Sequence, residues 1–236
     1  MKKTFVLLFF VIASLGLNAQ NIIGAWEMYS TSENGDKLKN VVIFADGYQV
    51  ISVYEADTGK FIQSNGGTWR LENGTMTEKV EFDTATPERV GTEVSFKVNI
   101  TENEIDIVGH DMKLTRIDNG TPGKLQGAWL MSGRVRDGKE QLRDTSGPRK
   151  TMKLLSGTRF QWIAYNTQTK QFMGTGGGTY TTIDGKYTEN IEFFSRDDAR
   201  VGASLKFNYD FVDGNWHHKG FSSKGDPMHE IWSVRD

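Results

Sequence analysis

The sequence predicts an all-β protein made of two tandem antiparallel up-and-down barrels, each of about eight strands. Three observations carry that prediction. Glycine is abundant, at 26, and proline scarce, at 4, a balance that supplies tight turns without interrupting strands. Runs of alternating apolar and polar residues recur between Asp-Gly and Asn-Gly turns, and no stretch sustains a helical period. The third observation is an internal duplication. From residue 41 to about 98 the chain aligns without a gap to itself 111 residues further on.

Taken from the N-terminus, the first element is an export signal. Lys2 and Lys3 form a basic start, and Phe5 to Leu17 is apolar except for Ser14 and Gly16. That run is too short to span a bilayer comfortably, and Leu17-Asn18-Ala19 offers a small residue for cleavage. Residues 1–19 therefore read as a cleaved Sec signal, which places the mature chain in the periplasm or outside the cell. Without Lys2 and Lys3 the formal charge moves from −2 to −4. A weakly acidic chain lacks the basic face that nucleic-acid binding requires. No later segment is apolar enough to be a membrane helix. Cysteine is absent, which excludes disulfides, thiolate metal sites, a cysteine nucleophile and a lipoprotein acyl anchor. The sequons at Asn73, Asn99 and Asn119 read as turn chemistry.

The first repeat runs over residues 22–118. Gly24-Ala25-Trp26 opens it and recurs as Gly127-Ala128-Trp129. Gly66-Gly67-Thr68-Trp69 matches Gly177-Gly178-Thr179-Tyr180, Glu81-Phe82 matches Glu192-Phe193, and Arg89-Val90-Gly91 matches Arg200-Val201-Gly202. Val94, Phe96, Val98 and Ile100 alternate with polar residues, as do Leu205, Phe207, Tyr209 and Phe211 in the second repeat. This is the pattern of a sheet with one wet face. Turns fall at Asp46-Gly47, Asn73-Gly74, Asp184-Gly185 and Asp213-Gly214. Residues 119–124 have linker composition, and the second repeat covers 125–236 with insertions near 137–150 and 220–228. Closing each meander into a barrel removes its exposed edges.

Gly-x-Trp at the start of an up-and-down barrel, with an Arg in the last strand, resembles the lipocalin (calycin) pattern. The resemblance implies that the Trp closes one barrel end and the Arg packs across it, pairing Trp26 with Arg116 and Trp129 with Arg235. The second repeat is also similar to a family of secreted lipocalin-like domains of Gram-negative bacteria whose function is unknown. The residues that carry this are Gly176-Gly-Gly-Thr-Tyr180, Gly185-Lys-Tyr-Thr-Glu-Asn-Ile-Glu-Phe193, Trp216 and His229-Glu-Ile-Trp232. The first repeat has Asp111-Met-Lys-Leu114 in place of the last motif and is a diverged member. The resemblance implies a fold rather than an activity.

Strand parity then singles out candidate site residues. Met76, Glu78, Val80 and Phe82 share one face, as do Tyr187, Glu189, Ile191 and Phe193, and their apolar character places these faces inside. A carboxylate there needs a partner or a raised pKa, so Glu78 and Glu189 are either structural or functional. The second repeat adds Trp162, Tyr187, Trp216, His218, Glu230 and Trp232, where matched first-repeat positions are mainly aliphatic. Aromatic walls with a few convergent polar groups describe a ligand pocket, for a sugar or an amphipathic aromatic molecule. A narrow barrel packed by its own side chains is the competing reading. The sequence therefore favours an exported small-molecule binder with its pocket in the second barrel. An enzyme using Glu189, Glu230 and His218 as acid/base groups is the alternative, and a module docking onto an envelope protein is a third. No cofactor is implied. His217, His218 and His229 do not make a metal site, because adjacent strand residues face opposite ways. The Gly174–Gly178 run reads as a turn or bulge, and Arg134 to Lys150 as a solvated loop able to act as a lid.

Overall fold

The computed structural model describes residues 22–121, 123–222 and 225–235. The expected export signal lies outside these residues. The chain is all-β, with two eight-stranded antiparallel barrels in tandem. The first contains β1 (Gly24–Thr31), β2 (Lys37–Ala45), β3 (Tyr48–Glu55), β4 (Phe61–Glu72), β5 (Thr75–Asp83), β6 (Glu93–Ile100), β7 (Glu104–Ile107) and β8 (Lys113–Asp118). Each strand pairs with the next, and β8 returns to β1. The second contains β9 (Gly127–Arg136), β10 (Lys139–Leu142), β11 (Arg149–Leu155), β12 (Arg159–Asn166), β13 (Gln171–Ile183), β14 (Lys186–Phe194), β15 (Ser204–Val212), β16 (Asn215–Phe221) and β17 (Pro227–Val234). Here β17 closes onto β9. Among the described residues no helix is long and apolar enough to cross a membrane.

The 137–150 insertion is not all loop. Part of it forms β10, which pairs with the last four residues of β9, beyond the stretch that β11 covers. The glycine run in β13 is a strand with a bulge, and β4 repeats it. Gly66 faces Phe82 while Gly67 faces Val80, which leaves Glu81 unmatched. Gly177 faces Phe193 while Gly178 faces Ile191, which leaves Glu192 unmatched. Glycine is required at the shift, because a Cβ on Gly67 would lie 1.9 Å from the Lys79 carbonyl and one on Gly178 would lie 2.0 Å from that of Asn190.

The bulge corrects the parity reading. An extra residue in a period-2 strand reverses the faces beyond it. Ile191 stays inside the second barrel, but Phe82 and Phe193 turn outward into a core shared by both barrels. That core combines Val41, Ile43 and Val50 with Leu130, Leu154 and Ile163. It is continuous, so the barrels are packed against each other rather than strung on a linker.

The interface has approximate two-fold symmetry. Tyr54 donates to Glu192 at 2.6 Å, and Tyr165, its counterpart 111 residues on, donates to Glu81, the counterpart of Glu192. Tyr54 stacks on Phe193 at 4.9 Å, and Phe82 packs on Tyr165 at 5.1 Å. Phe61 stacks on its own counterpart, Phe172, at 6.1 Å, which marks the pseudo-axis. Reciprocal contacts of this kind characterise an isologous dimer interface. At the junction, Asp118 accepts hydrogen bonds from Ser156, Gly157 and Thr158, locking the end of the first barrel onto the second.

The two barrel-end arginines differ. Trp26 and Trp129 are held alike, donating to Ile22 and Leu125 carbonyls at 2.8 and 2.9 Å. Arg116 lies 3.9 Å over the Trp26 ring. Arg235 does not cover Trp129, which corrects the pairing the resemblance implied. Val234 stands opposite Trp129 in the ladder, so Arg235 faces the other way. It sits over Tyr48 of the first barrel at 4.2 Å and pairs with Glu81 at 2.8 Å.

Candidate functional site

The two interiors share a backbone and differ in filling. Their registers are equivalent: Val42 faces Trp26 and Ile51, and its counterpart Lys153 faces Trp129 and Trp162. Differences between the interiors therefore come from side chains.

In the second barrel, β14 supplies Tyr187 and Glu189, β16 supplies Trp216 and His218, and β17 supplies Glu230 and Trp232. Trp162, on β12, packs on Phe194 at 5.5 Å against the same cluster. All seven sequence-selected residues thus border one interior. At its centre is Lys153, which the sequence reading did not select. Its ammonium is 2.7 Å from Glu189, with the two side chains only 5% and 7% exposed. It also lies 5.1, 5.0 and 5.2 Å from the ring centroids of Tyr187, Trp216 and Trp232. A desolvated ammonium within about 6 Å of several aromatic faces is attracted by each ring quadrupole. Trp216 further packs on Tyr187, Trp232 and Trp129 at 5.1, 5.9 and 5.8 Å. These rings thus contact one another across the interior of the second barrel.

Three groups in this cluster are under-satisfied. The Tyr187 hydroxyl, Trp216 Nε1 and both ring nitrogens of His218 are buried without a hydrogen-bond partner. His218 Nδ1 faces Glu230 Oε2 at 3.5 Å, long for a hydrogen bond. Burial, aided by the Lys153 charge, holds the His218 pKa below its ordinary value, so the ring is neutral at pH 7. Burial alone would raise Glu230, but His218, Lys153 and the Trp232 indole, which donates at 3.2 Å, together hold it below the usual carboxylate range. His217 lies on the opposite face, 3.0 Å from His229. Among the described residues no group of three or more His, Cys, Asp or Glu is placed to hold a metal ion.

The first barrel is hollow. A cavity of about 490 Å³ runs between its walls, lined mainly by aliphatic and aromatic side chains. The counterpart positions explain it. Val42, Ile51, Met76, Ile105 and Ile107 line this cavity where the second barrel has Lys153, Trp162, Tyr187, Trp216 and His218. Leu114 faces Ile105 as Trp232 faces Trp216. At each position the second barrel carries a longer or bulkier group. The signal for the cavity was therefore present in the aligned repeats, as a difference in volume.

Glu78 is on the wall of this cavity. Its counterpart Glu189 has Lys153, but Val42 offers Glu78 no cation. Burial pushes the Glu78 pKa up to about 7, and the Arg89 charge only partly opposes this. Arg89, which also lines the cavity, is held by Asp83 at 3.0 Å. His110 is the remaining titratable side chain on the lining. The arrangement offers an apolar chamber with one carboxyl poised between its charged and neutral forms.

Residues 124–234, which contain the second barrel, match the family model described as "Domain of unknown function (DUF4488)". No curated protein matches the chain.

Proposed function

We propose that the protein is an exported, lipocalin-like binder of a small, largely apolar molecule, and that the ligand occupies the first barrel. The observation that carries this reading is the cavity of about 490 Å³ in a barrel whose twin is packed. Its size lies within the range of roughly 300–1,000 Å³ usual for small-molecule sites. An eight-stranded barrel has room for one small ligand when its own side chains do not fill it. The lining is mainly apolar, with Gln49, Asn65 and Ser95 as its uncharged polar members, and favours an apolar body over a sugar, which would set many hydroxyls against apolar wall. The basic start and apolar run of residues 1–19 support export.

The test is fluorescence titration of the mature protein with phenylnaphthylamine, a neutral apolar probe that brightens when it leaves water. Wild type is expected to bind it. Ile105→Trp and Met76→Tyr place second-barrel residues in the first barrel and are expected to abolish binding while the fold is retained by circular dichroism. Binding unchanged in both variants overturns the first-barrel seat. A seat in the second barrel is the alternative, favoured by the unpartnered buried nitrogens of Trp216 and His218. Binding that survives both cavity-filling variants but is lost in Trp216→Ala would assign the ligand there.

A further inference from the structure

The filled barrel describes what the hollow one lacks. In the second barrel the Glu189 carboxylate receives an ammonium at 2.7 Å, on an alkyl stem that enters from β11. Three aromatic rings surround that ammonium. The first barrel retains the carboxylate as Glu78, in the same register against its neighbours. Glu78 faces Trp69 and Val94, as Glu189 faces Tyr180 and Leu205. The cation and its stem are replaced by Val42, and cavity stands there instead. A carboxylate on an apolar wall is costly unless it is neutralised by a proton or a partner. The charged groups around it do not supply that partner. Arg89 is committed to Asp83, and His110 is in the segment between β7 and β8. Among the described residues Glu78 makes no ion pair.

We infer that the ligand of the first barrel is an amine, an organic cation on an apolar body, which Glu78 receives as Glu189 receives Lys153. The inference rests on the first-barrel reading above and specifies its ligand class. The ammonium would supply the missing charge, and the apolar body would fill the space that Trp162, Tyr187 and Trp216 fill in the twin. Because the amine pairs with the ionised carboxyl, binding should strengthen as pH rises through about 7, where Glu78 loses its proton.

The experiment is displacement of phenylnaphthylamine by octylamine, octanol and octanoate, which share one chain and differ in the head group. Octylamine is expected to displace the probe at a concentration about tenfold lower than octanol, with octanoate the weakest. The preference should grow between pH 6 and pH 8, a range in which an alkylamine stays charged. Glu78→Gln should remove the preference for the amine, so that octylamine and octanol displace the probe at similar concentrations. Val42→Lys, which builds the second barrel's ion pair into the first, should exclude octylamine. Equal affinity for octylamine and octanol, a preference for octanoate, or an amine preference that survives Glu78→Gln would overturn the inference while leaving the cavity reading intact. Failure of the probe and all three ligands to bind would overturn both.

Discussion

The two barrels have one topology, one register and opposite interiors. Each carries a carboxylate at the same place on its fifth barrel strand, Glu78 on β5 and Glu189 on β14. In the second barrel that carboxylate sits in a packed aromatic core and is paired with Lys153. In the first it faces open volume with a raised pKa. A rich set of aromatic and polar residues pointing into a barrel can thus mean a core that is already full. The plain aliphatic set is the one that leaves space, because methyl and methylene groups do not reach across a barrel as indole and phenol rings do.

The comparison breaks most sharply if Lys153 is not what neutralises the second barrel. Lys153→Met leaves Glu189 buried without its cation and is expected to destabilise the protein by about 3–5 kcal/mol. Urea denaturation followed by tryptophan fluorescence measures this. The double variant Lys153→Met/Glu189→Gln should recover much of the loss, since it removes the stranded charge as well. Equal losses in the single and double variants would show that the lysine stabilises the barrel by packing its stem rather than by pairing its charge.

The first barrel makes the opposite prediction. The Glu78 pKa is about 7 in the folded chain against 4.5 for an ordinary Glu. Between those values the folded state holds a proton that the unfolded state has released. Stability therefore falls as pH rises from about 4.5 through about 7. Glu78→Gln removes the charge and should raise stability at pH 8 by on the order of 2–3 kcal/mol, with little effect near pH 4. Thermal melts of both proteins across this range provide the measurement. A destabilised variant at pH 8 would mean that Glu78 has a structural partner, as Glu189 does.

The smallest effect sharpens the difference between the barrel ends. Arg116→Ala removes a guanidinium that is partly exposed and stacked on Trp26, and should cost about 1 kcal/mol. Arg235→Ala should cost more, because it strands Glu81 and removes a tie between the barrels. Parallel chemical denaturation of the two variants tests the order.

Much of the architecture was legible in the residues. Alternation in β6 and β15 marked strands, and the constant 111-residue spacing of the Gly-Gly-Thr, Glu-Phe and Arg-Val-Gly motifs marked the two units. The interface left a trace too. Val41-Val42-Ile43-Phe44-Ala45 is a continuous apolar run, the pattern of a strand buried on both faces. The site was legible only in part. Parity correctly put Trp216, His218 and Tyr187 in one interior, where the structure shows them in contact. It failed at Phe82 and Phe193, because a bulge adds a residue without changing the local composition. It also passed over Lys153, since a lysine in a strand ordinarily faces water.

The sequence by itself determined the strands, the turns and the doubling, because these follow from local periodicity, glycine placement and repetition along the chain. The aligned repeats held the difference in side-chain volume, but the tertiary structure decided that it leaves the first barrel hollow, which carboxylate is paired, and that the outward aromatics join the two units. Those outcomes depend on side chains meeting across a barrel or between barrels. They are settled by volume and charge at positions far apart in the chain, which no local pattern records.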